Sequence, residues 1–308
     1  MKKISILGLL LFSIFTSSFS TAANGLELIK ITDNAYAIVG ELGNRSPENL
    51  GNNATFGVVV TDKGVVLIDS GATYKGAQAI HNVIKTVTDK PIVIVINSGG
   101  QDHRWLGNEY FKEQGAKIIA SKAAVEDHKA RLQDQFFRLG TLVGDEGIKG
   151  TNAVYADTVF ESNHNFELGN VNFEVTHAGQ AHTPGDSFVW LPKQSVMFTG
   201  DIVYTERMLG VGTQSNSKSW LAVYEAMAAH NPKYLVPGHG KPTTLEKANK
   251  DSYEYLQYLR KSISDFIEND GDISEISKVD LSRYHYLFNS EMLSGRNAQQ
   301  VYSELEFE

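Results

Sequence analysis

The sequence predicts an α/β protein, a sandwich of two mixed β-sheets with helices on the outer faces. Two observations predict it: the first half alternates short β-branched runs with segments of helical periodicity, and the second half repeats that alternation in other proportions. A third observation locates the chemistry. Five segments place Asp or His in a turn immediately beside an apolar run, where a rigid scaffold displays functional groups.

The elements follow in chain order. "LELIKITDNAYAIVG" reads as two strands around an Asp-Asn turn, because apolar and polar residues alternate. "ELGNRSPENLGNNA", Glu41 to Ala54, is rich in Gly, Asn, Pro and Ser and predicts a mobile loop. "TFGVVVTDKGVVLIDSG" gives two strands joined at Asp62-Lys63-Gly64. Ile80, Val83, Ile84 and Val87 then share one helix face at i, i+3, i+4 and i+7. "PIVIVIN" is a strand buried on both faces, "RWLGNEYFKEQG" a short helix closed by Gly115, "AKIIAS" a strand, and Ala123 to Leu139 a helix. Strands at "VNFEVTH", "SFVWLP" and "SVMFTG", a helix at "SKSWLAVYEAMAAH", a strand at "KYLVPG" and a long helix from Leu245 to Ile267 complete the second half. The expected organisation is a leader (1–22), the sandwich domain (23–268) and a C-terminal cap of short helices (269–308).

The leader has a basic start (Lys2, Lys3), an apolar stretch from Ile4 to Phe15 and small residues suiting cleavage after Ala22 or Ala23. Its apolar run is shorter than the roughly 20 residues a spanning helix needs, which predicts a periplasmic or secreted protein without a membrane anchor. Loss of Lys2 and Lys3 would take the formal charge from -8 to -10. That acidity disfavours nucleic acid as a partner and leaves a small molecule as the expected one. The chain has no Cys, so a metal must be held by His or oxygen ligands.

The chemistry-bearing turns are "LIDSG" (Asp69), "SGGQDHR" (Gln101, Asp102, His103, Arg104), "AHTPGD" (His182, Asp186), "MFTGD" (Asp201) and "LVPGHG" (His239). Any one of them alone is as readily a side chain capping its own turn. In this order they resemble the metallo-β-lactamase superfamily of hydrolases, from about Leu26 to Asp265. The resemblance implies an αββα fold with a metal site in the groove between the sheet edges. It also places the loop at Glu41 to Ala54 over the substrate as a flap.

The family signature His-x-His-x-Asp-His is altered here. In "NSGGQDHRWLGN", a gapless alignment keeps Asn97, Ser98, Gly107 and Asn108 in place. It puts Gly99, Gln101, His103 and Arg104 at the ligand positions. A second register, with compensating indels, makes Asp102-His103 the family's Asp-His pair; His103 is a ligand in both. The resemblance then implies a first metal position left with His182, Asp201 and the weak donor Gln101, too few for a tight site. A second keeps His103, Asp201 and His239, with His182 as a possible fourth ligand. Two His and a carboxylate suit one catalytic zinc, and equally iron(II).

Asp201, Arg104 and Asp102 are the expected catalytic residues. Arg104 can replace a missing cation beside Asp201 or Asp102, or grip a substrate anion; the bland alternative is a surface arginine at a helix start. The resemblance gives Asp69 a supporting role behind the metal loop, and Gln101 and His177 are expected at the same remove. Tyr204, Glu206 and Arg207 follow the Asp201 turn as candidate pocket residues, while His81, His128, His164, His230 and His285 read as structural. No complete G-x-S-x-G, dinucleotide or P-loop motif occurs, which argues against a seryl hydrolase or an NTPase. The expected activity is attack of metal-activated water on an ester, thioester, lactone or β-lactam carbonyl. The alternative is a binding protein that kept the fold and lost catalysis.

Overall fold

The computed structural model describes residues 25–308, so the expected leader lies outside the described residues. The first sheet takes its strands in chain order: β1 (Glu27–Lys30), β2 (Ala35–Val39), β3 (Thr55–Thr61), β4 (Gly64–Ile68), β5 (Ile92–Asn97), β6 (Lys117–Ser121) and β7 (Thr158–Phe160). Pairing is antiparallel from β1 to β4 and parallel from β4 to β7. The second sheet contains β8 (Asn163–Leu168), β9 (Val171–Thr176), β10 (Phe188–Leu191), β11 (Val196–Phe198) and β12 (Tyr234–Val236) in spatial order β12-β11-β10-β9-β8. Only its β11–β12 pair is parallel.

Ile68, Ile96, Phe173, Val189 and Phe198 fill the space between the sheets. Full burial of each such side chain contributes roughly 1.5–3 kcal/mol. Gly57 permits the close approach, because a Cβ there would stand 2.4 Å from the Phe198 ring. Outside the first sheet, α1 (Tyr74–Ile84) buries Ile80 and Val83 against Leu67 and Ile118. Thr73 caps this helix by accepting from the Gly76 amide.

Several elements depart from the sequence reading. The short helix after β5 is two, α2 (Asp102–Trp105) and α3 (Asn108–Glu113), with Gly115 closing the second at φ +87°. The predicted Ala123–Leu139 helix is α4 (Lys122–Ala130) followed by α5 (Leu132–Ile148). It breaks at Arg131, whose side chain turns back to Asp127 and the Gly100 carbonyl. Strands β7 and β8 escaped the reading; the alternating partly buried and exposed residues of β8 fit its place at a sheet edge. The outer face of the second sheet carries α6 (Ser217–Ala228). The Leu245 helix runs as α7 (Leu245–Ala248), a π turn and α8 (Glu254–Glu268).

The C-terminal segment is more than short helices. After two 3₁₀ turns it forms α9 (Ser290–Leu305). Its Ala298, Val301 and Tyr302 share one core with Trp220, Tyr255 and Leu259. Residues 41–54 are tied down rather than loose: Asn49, Asn52 and Asn53 are buried, and Asn52 donates to the Gly76 carbonyl. Asparagine marked this segment as irregular, but here its amides replace backbone partners inside the protein. Among the described residues no helix is long and apolar enough to cross a membrane.

Candidate metal centre

The loop after β5 is shaped by polar contacts at both ends. Parallel pairing sets Ile68 beside Ile96, so Asp69 meets Ser98. Its carboxylate accepts from the Ser98 amide at 2.7 Å and the Ser98 hydroxyl at 2.8 Å. Asn97 and Asn108 exchange amide hydrogen bonds at 2.9 and 2.8 Å, closing the loop like a clasp. His128 stacks on Trp105 and donates to the Gly99 carbonyl, and Gln135 donates to that of Gly100. The two glycines are required by crowding. A Cβ at Gly99 would lie 2.3 Å from Asp186 Oδ1, and one at Gly100 would lie 1.8 Å from Asp127 Oδ2.

Three side chains from separate turns converge beside this loop. Ligand atoms of His103, Asp201 and His239 all lie within 4.8 Å of one another, and all three residues are buried. His103 Nε2 is 3.2 Å from Asp201 Oδ2, and His239 Nε2 is 3.3 Å from Asp201 Oδ1. His239 donates Nδ1–H to the Asn53 carbonyl at 2.8 Å, which turns the Nε2 lone pair toward the carboxylate. Burial lowers His239 well below the ordinary imidazole range, so at neutral pH two acceptors face each other. A cation between them relieves that opposition. Metal–ligand bonds of about 2.0–2.1 Å in a tetrahedron set adjacent ligand atoms about 3.3 Å apart, close to the two carboxylate–imidazole separations here, so the donor types and these two spacings fit a metal ion.

Arg104 stands directly behind this group. It is fully buried and has a protein acceptor for every N–H direction of its fork. Nε and Nη2 reach Asp201 at 3.1 and 2.7 Å, Nη1 reaches Asp69 at 2.8 Å, and the remaining donors meet the Thr55 and Gly238 carbonyls at 3.1 and 2.9 Å. The expectations of an exposed arginine or of a direct grip on substrate are therefore corrected, since no donor remains to offer. Burial opposes ionisation of Asp201, but Arg104 and His103 outweigh it and hold the carboxyl well below its usual range.

Asp102 is not part of the converging trio. It pairs with Arg45 and accepts from the His103 amide at 2.7 Å. Its Oδ1 is also 3.3 Å from His103 Nδ1, and Arg45 Nη2 lies 2.6 Å from that same nitrogen. Burial pushes the Asp102 carboxyl up, while Arg45 and His103 pull it further down, so it stays ionised. Direct action on a substrate is not what this placement offers; orientation of His103 is.

His182 lies outside the converging trio. It lines the same pocket and its Nδ1 faces the Gly210 carbonyl at 2.9 Å. Burial lowers it to about 4, leaving it neutral with Nε2 available. Gln101 also lines the pocket, and its Oε1 is buried without a partner. His177 is spent on the Asp186 carbonyl at 2.7 Å. Tyr204 stacks on His239 with ring centroids 4.5 Å apart, and burial raises its hydroxyl well above the ordinary range. Arg207 lines the pocket with Tyr204, whereas Glu206 does not. The sequence reading missed Arg45, Asn289 just before α9, and the α9 residues Met292, Leu293 and Arg296, all of which line the pocket. No spacing marks them, because tertiary packing alone brings them to the site.

Comparison with known proteins agrees with this architecture. The sequence model of the metallo-beta-lactamase superfamily matches residues 51–239, more than half of the chain. A type 2 metallo-beta-lactamase from Elizabethkingia meningoseptica is 26% identical over 227 residues, covering 72% of this chain and 82% of that protein. Metallo-beta-lactamase IND-1 from Chryseobacterium indologenes is 24% identical over 203 residues, covering 62% and 77%. Among solved structures, a metallo-beta-lactamase from Pontibacter korlensis superposes with a TM-score of 0.60 at 20% identity, covering 75% of this chain and 99% of that one. The sec-alkylsulfatase Pisa1 from Pseudomonas sp. gives a TM-score of 0.69 at 18% identity; it covers 90% of this chain, which spans about half of it (49%). The two solved structures bear on the fold alone. With a family match over this length, the chain belongs to the metallo-beta-lactamase superfamily.

Proposed function

We propose that this protein is an exported metal-dependent hydrolase with one zinc ion at His103, Asp201 and His239, acting on an ester, thioester, lactone or β-lactam carbonyl. The observation that carries the reading is the spacing of 3.2 and 3.3 Å between the Asp201 oxygens and the two imidazole Nε2 atoms. A bound zinc would supply Lewis acidity and a nucleophilic water at neutral pH.

The chain's own residues would do the rest. Arg104 locks the Asp201 carboxylate in one orientation, and the Asn53 carbonyl fixes the His239 tautomer. Asp102 is placed to accept from His103 Nδ1 once Nε2 serves as a ligand. Tyr204 keeps its proton at neutral pH and borders the pocket, where its phenol can donate to the developing oxyanion. His182 can carry a proton between pocket and solvent or complete the ligand set. Export rests on the leader sequence and on the kinship with metallo-beta-lactamases.

One observation favours a second reading, a binding protein without catalysis. Gly99 has no ligand to offer at the first metal position, and Arg104 already neutralises Asp201. Elemental mass spectrometry on the tag-free mature protein separates the two. The hydrolase reading expects about one zinc per monomer, lost in His103→Ala and Asp201→Ala and kept in Asp102→Ala. It also expects turnover of at least one carbonyl substrate class. No zinc uptake from excess metal would refute it and favour the binding protein.

A further inference from the structure

The helical segment beyond the His239 turn is irregular at one place. Between α7 and α8 the chain makes a π turn over Asn249–Tyr253. Single π turns inside helices are rare and are found frequently at functional sites. This one buries two polar residues, Asp251 at 0% and Ser252 at 2% exposure, and aims both at residues 204–206. Ser252 grips both backbone groups of Tyr204: its Oγ accepts from the amide at 2.9 Å and donates to the carbonyl at 2.5 Å. Asp251 Oδ2 accepts from the Glu206 amide at 3.0 Å and from Lys247 at 2.8 Å, while Oδ1 accepts from the Tyr286 hydroxyl at 2.9 Å. The Glu206 carbonyl in turn accepts from the Phe288 amide at 2.9 Å. Held at both ends, Glu206 has φ +64°, the left-handed region that a residue with a side chain ordinarily avoids.

The same segment touches the metal centre. Thr205 donates its amide to the His239 carbonyl at 2.9 Å, and a Cβ at Gly240 would stand 2.3 Å from the Thr205 carbonyl. The Tyr204 ring lies on the His239 imidazole, and Tyr204 and Arg207 line the pocket while Glu206 between them does not. We propose that Asp251 and Ser252 are positioning residues, which fix the backbone of residues 204–206 and, through the Tyr204 ring and the Thr205 amide, the orientation of His239. Neither lines the pocket, so whatever they do there is exerted through that segment. As a statement about catalysis this rests on the hydrolase reading; as a statement about how His239 is held it does not.

The test combines proton NMR of the His239 ring in the metal-free protein with chelator competition for zinc. Tyr204→Leu removes the stacked ring and marks where the His239 resonances fall without it. Ser252→Ala is expected to move them toward that position and to weaken zinc binding about tenfold, the usual effect of removing a group that orients a ligand. Asp251→Ala is expected to do the same, whereas Asp251→Asn, which retains an acceptor for the Glu206 amide, is expected to stay within about threefold of the wild type. Glu206→Gly relieves the strain of φ +64°, so added to Asp251→Ala it is expected to recover most of the lost affinity. Wild-type resonances and zinc affinity in both Ser252→Ala and Asp251→Ala, with only a lowered Tm, would overturn the proposal and leave the π turn a stabilising feature. Failure of Glu206→Gly to recover any affinity would overturn the role of Asp251. Ser252→Ala decides alone if Asp251→Ala does not fold. If the wild type takes up no zinc, the hydrolase reading falls and the NMR comparison still decides how His239 is held.

Discussion

Replacing Arg104 with Met tests how the centre is held together. Met retains much of the aliphatic length and removes the guanidinium, so the change isolates charge and hydrogen bonding. In the native fold that guanidinium makes five contacts of 2.7–3.1 Å to two carboxylates and two carbonyls, all buried. Without it, Asp201 at 0% and Asp69 at 1% exposure lose their common counter-charge. Breaking a buried pair from one side costs about 3–5 kcal/mol, because the remaining charge is left unpaired in a low dielectric. For a domain of this size that corresponds to a fall in Tm of roughly 6–20 °C. Urea unfolding of the metal-free protein, followed by tryptophan fluorescence, measures it. Zinc adds a second expectation: a cation at His103, Asp201 and His239 restores charge balance to Asp201, so zinc should stabilise the variant more than the wild type. A loss of less than about 1 kcal/mol, the range of exposed pairs, would refute the reasoning.

Gly99→His with Gln101→His restores two family ligands on paper but should not create a second metal site, because Asp186 Oδ1 would lie 2.3 Å from the new Cβ. Elemental analysis should still give no more than one zinc, and two would show that the loop adapts. Arg45→Ala should tighten zinc binding: it removes a cation 2.6 Å from His103 Nδ1 and frees that nitrogen to donate to Asp102. A chelator competition showing weaker binding would contradict this. His128 is pushed down to about 3 by burial, while the unfolded chain takes up its proton near pH 6.5. Between those values the unfolded state binds the extra proton, so this residue's stability contribution is present above pH 6.5 and falls as pH drops, by up to about 1.4 kcal/mol per pH unit. His128→Gln should flatten that slope in acid unfolding curves, and an unchanged slope would assign it to other groups.

The fold was legible where the sequence carries strong periodicity or punctuation. The run "GVVLIDSG" reads as β4 followed by a turn because four apolar residues, Val65 to Ile68, end abruptly at Asp69, and the structure ends the strand there. β8 was not legible, since "NHNFEL" at a sheet edge buries too little to show a clear pattern. The break at Arg131 was hidden for another reason: α4 and α5 both carry helical periodicity, and what separates them is a side-chain contact to Gly100 from outside the helix. At the site, the turns bearing His103, Asp201 and His239 were found by their order along the chain. The part of the pocket wall formed by Met292 and Arg296 on α9, with Asn289 just before it, depends on how the C-terminal helix docks. Nothing local in residues 289–296 encodes that docking.

Charge counting shows what a cation would meet at this centre. The trio of candidate ligands offers one negative charge, on Asp201, and the Arg104 guanidinium that faces it at 2.7 Å is shared with Asp69 at 2.8 Å. Asp102, next to His103 in the chain, is paired in turn with Arg45. A divalent ion at His103, Asp201 and His239 would therefore approach a carboxylate already engaged by a cation, so Arg104 would oppose the ion electrostatically while holding its carboxylate ligand in place. The same side chain thus stabilises the metal-free fold and limits metal affinity, which is why removing its charge should cost stability without zinc and return part of it with zinc.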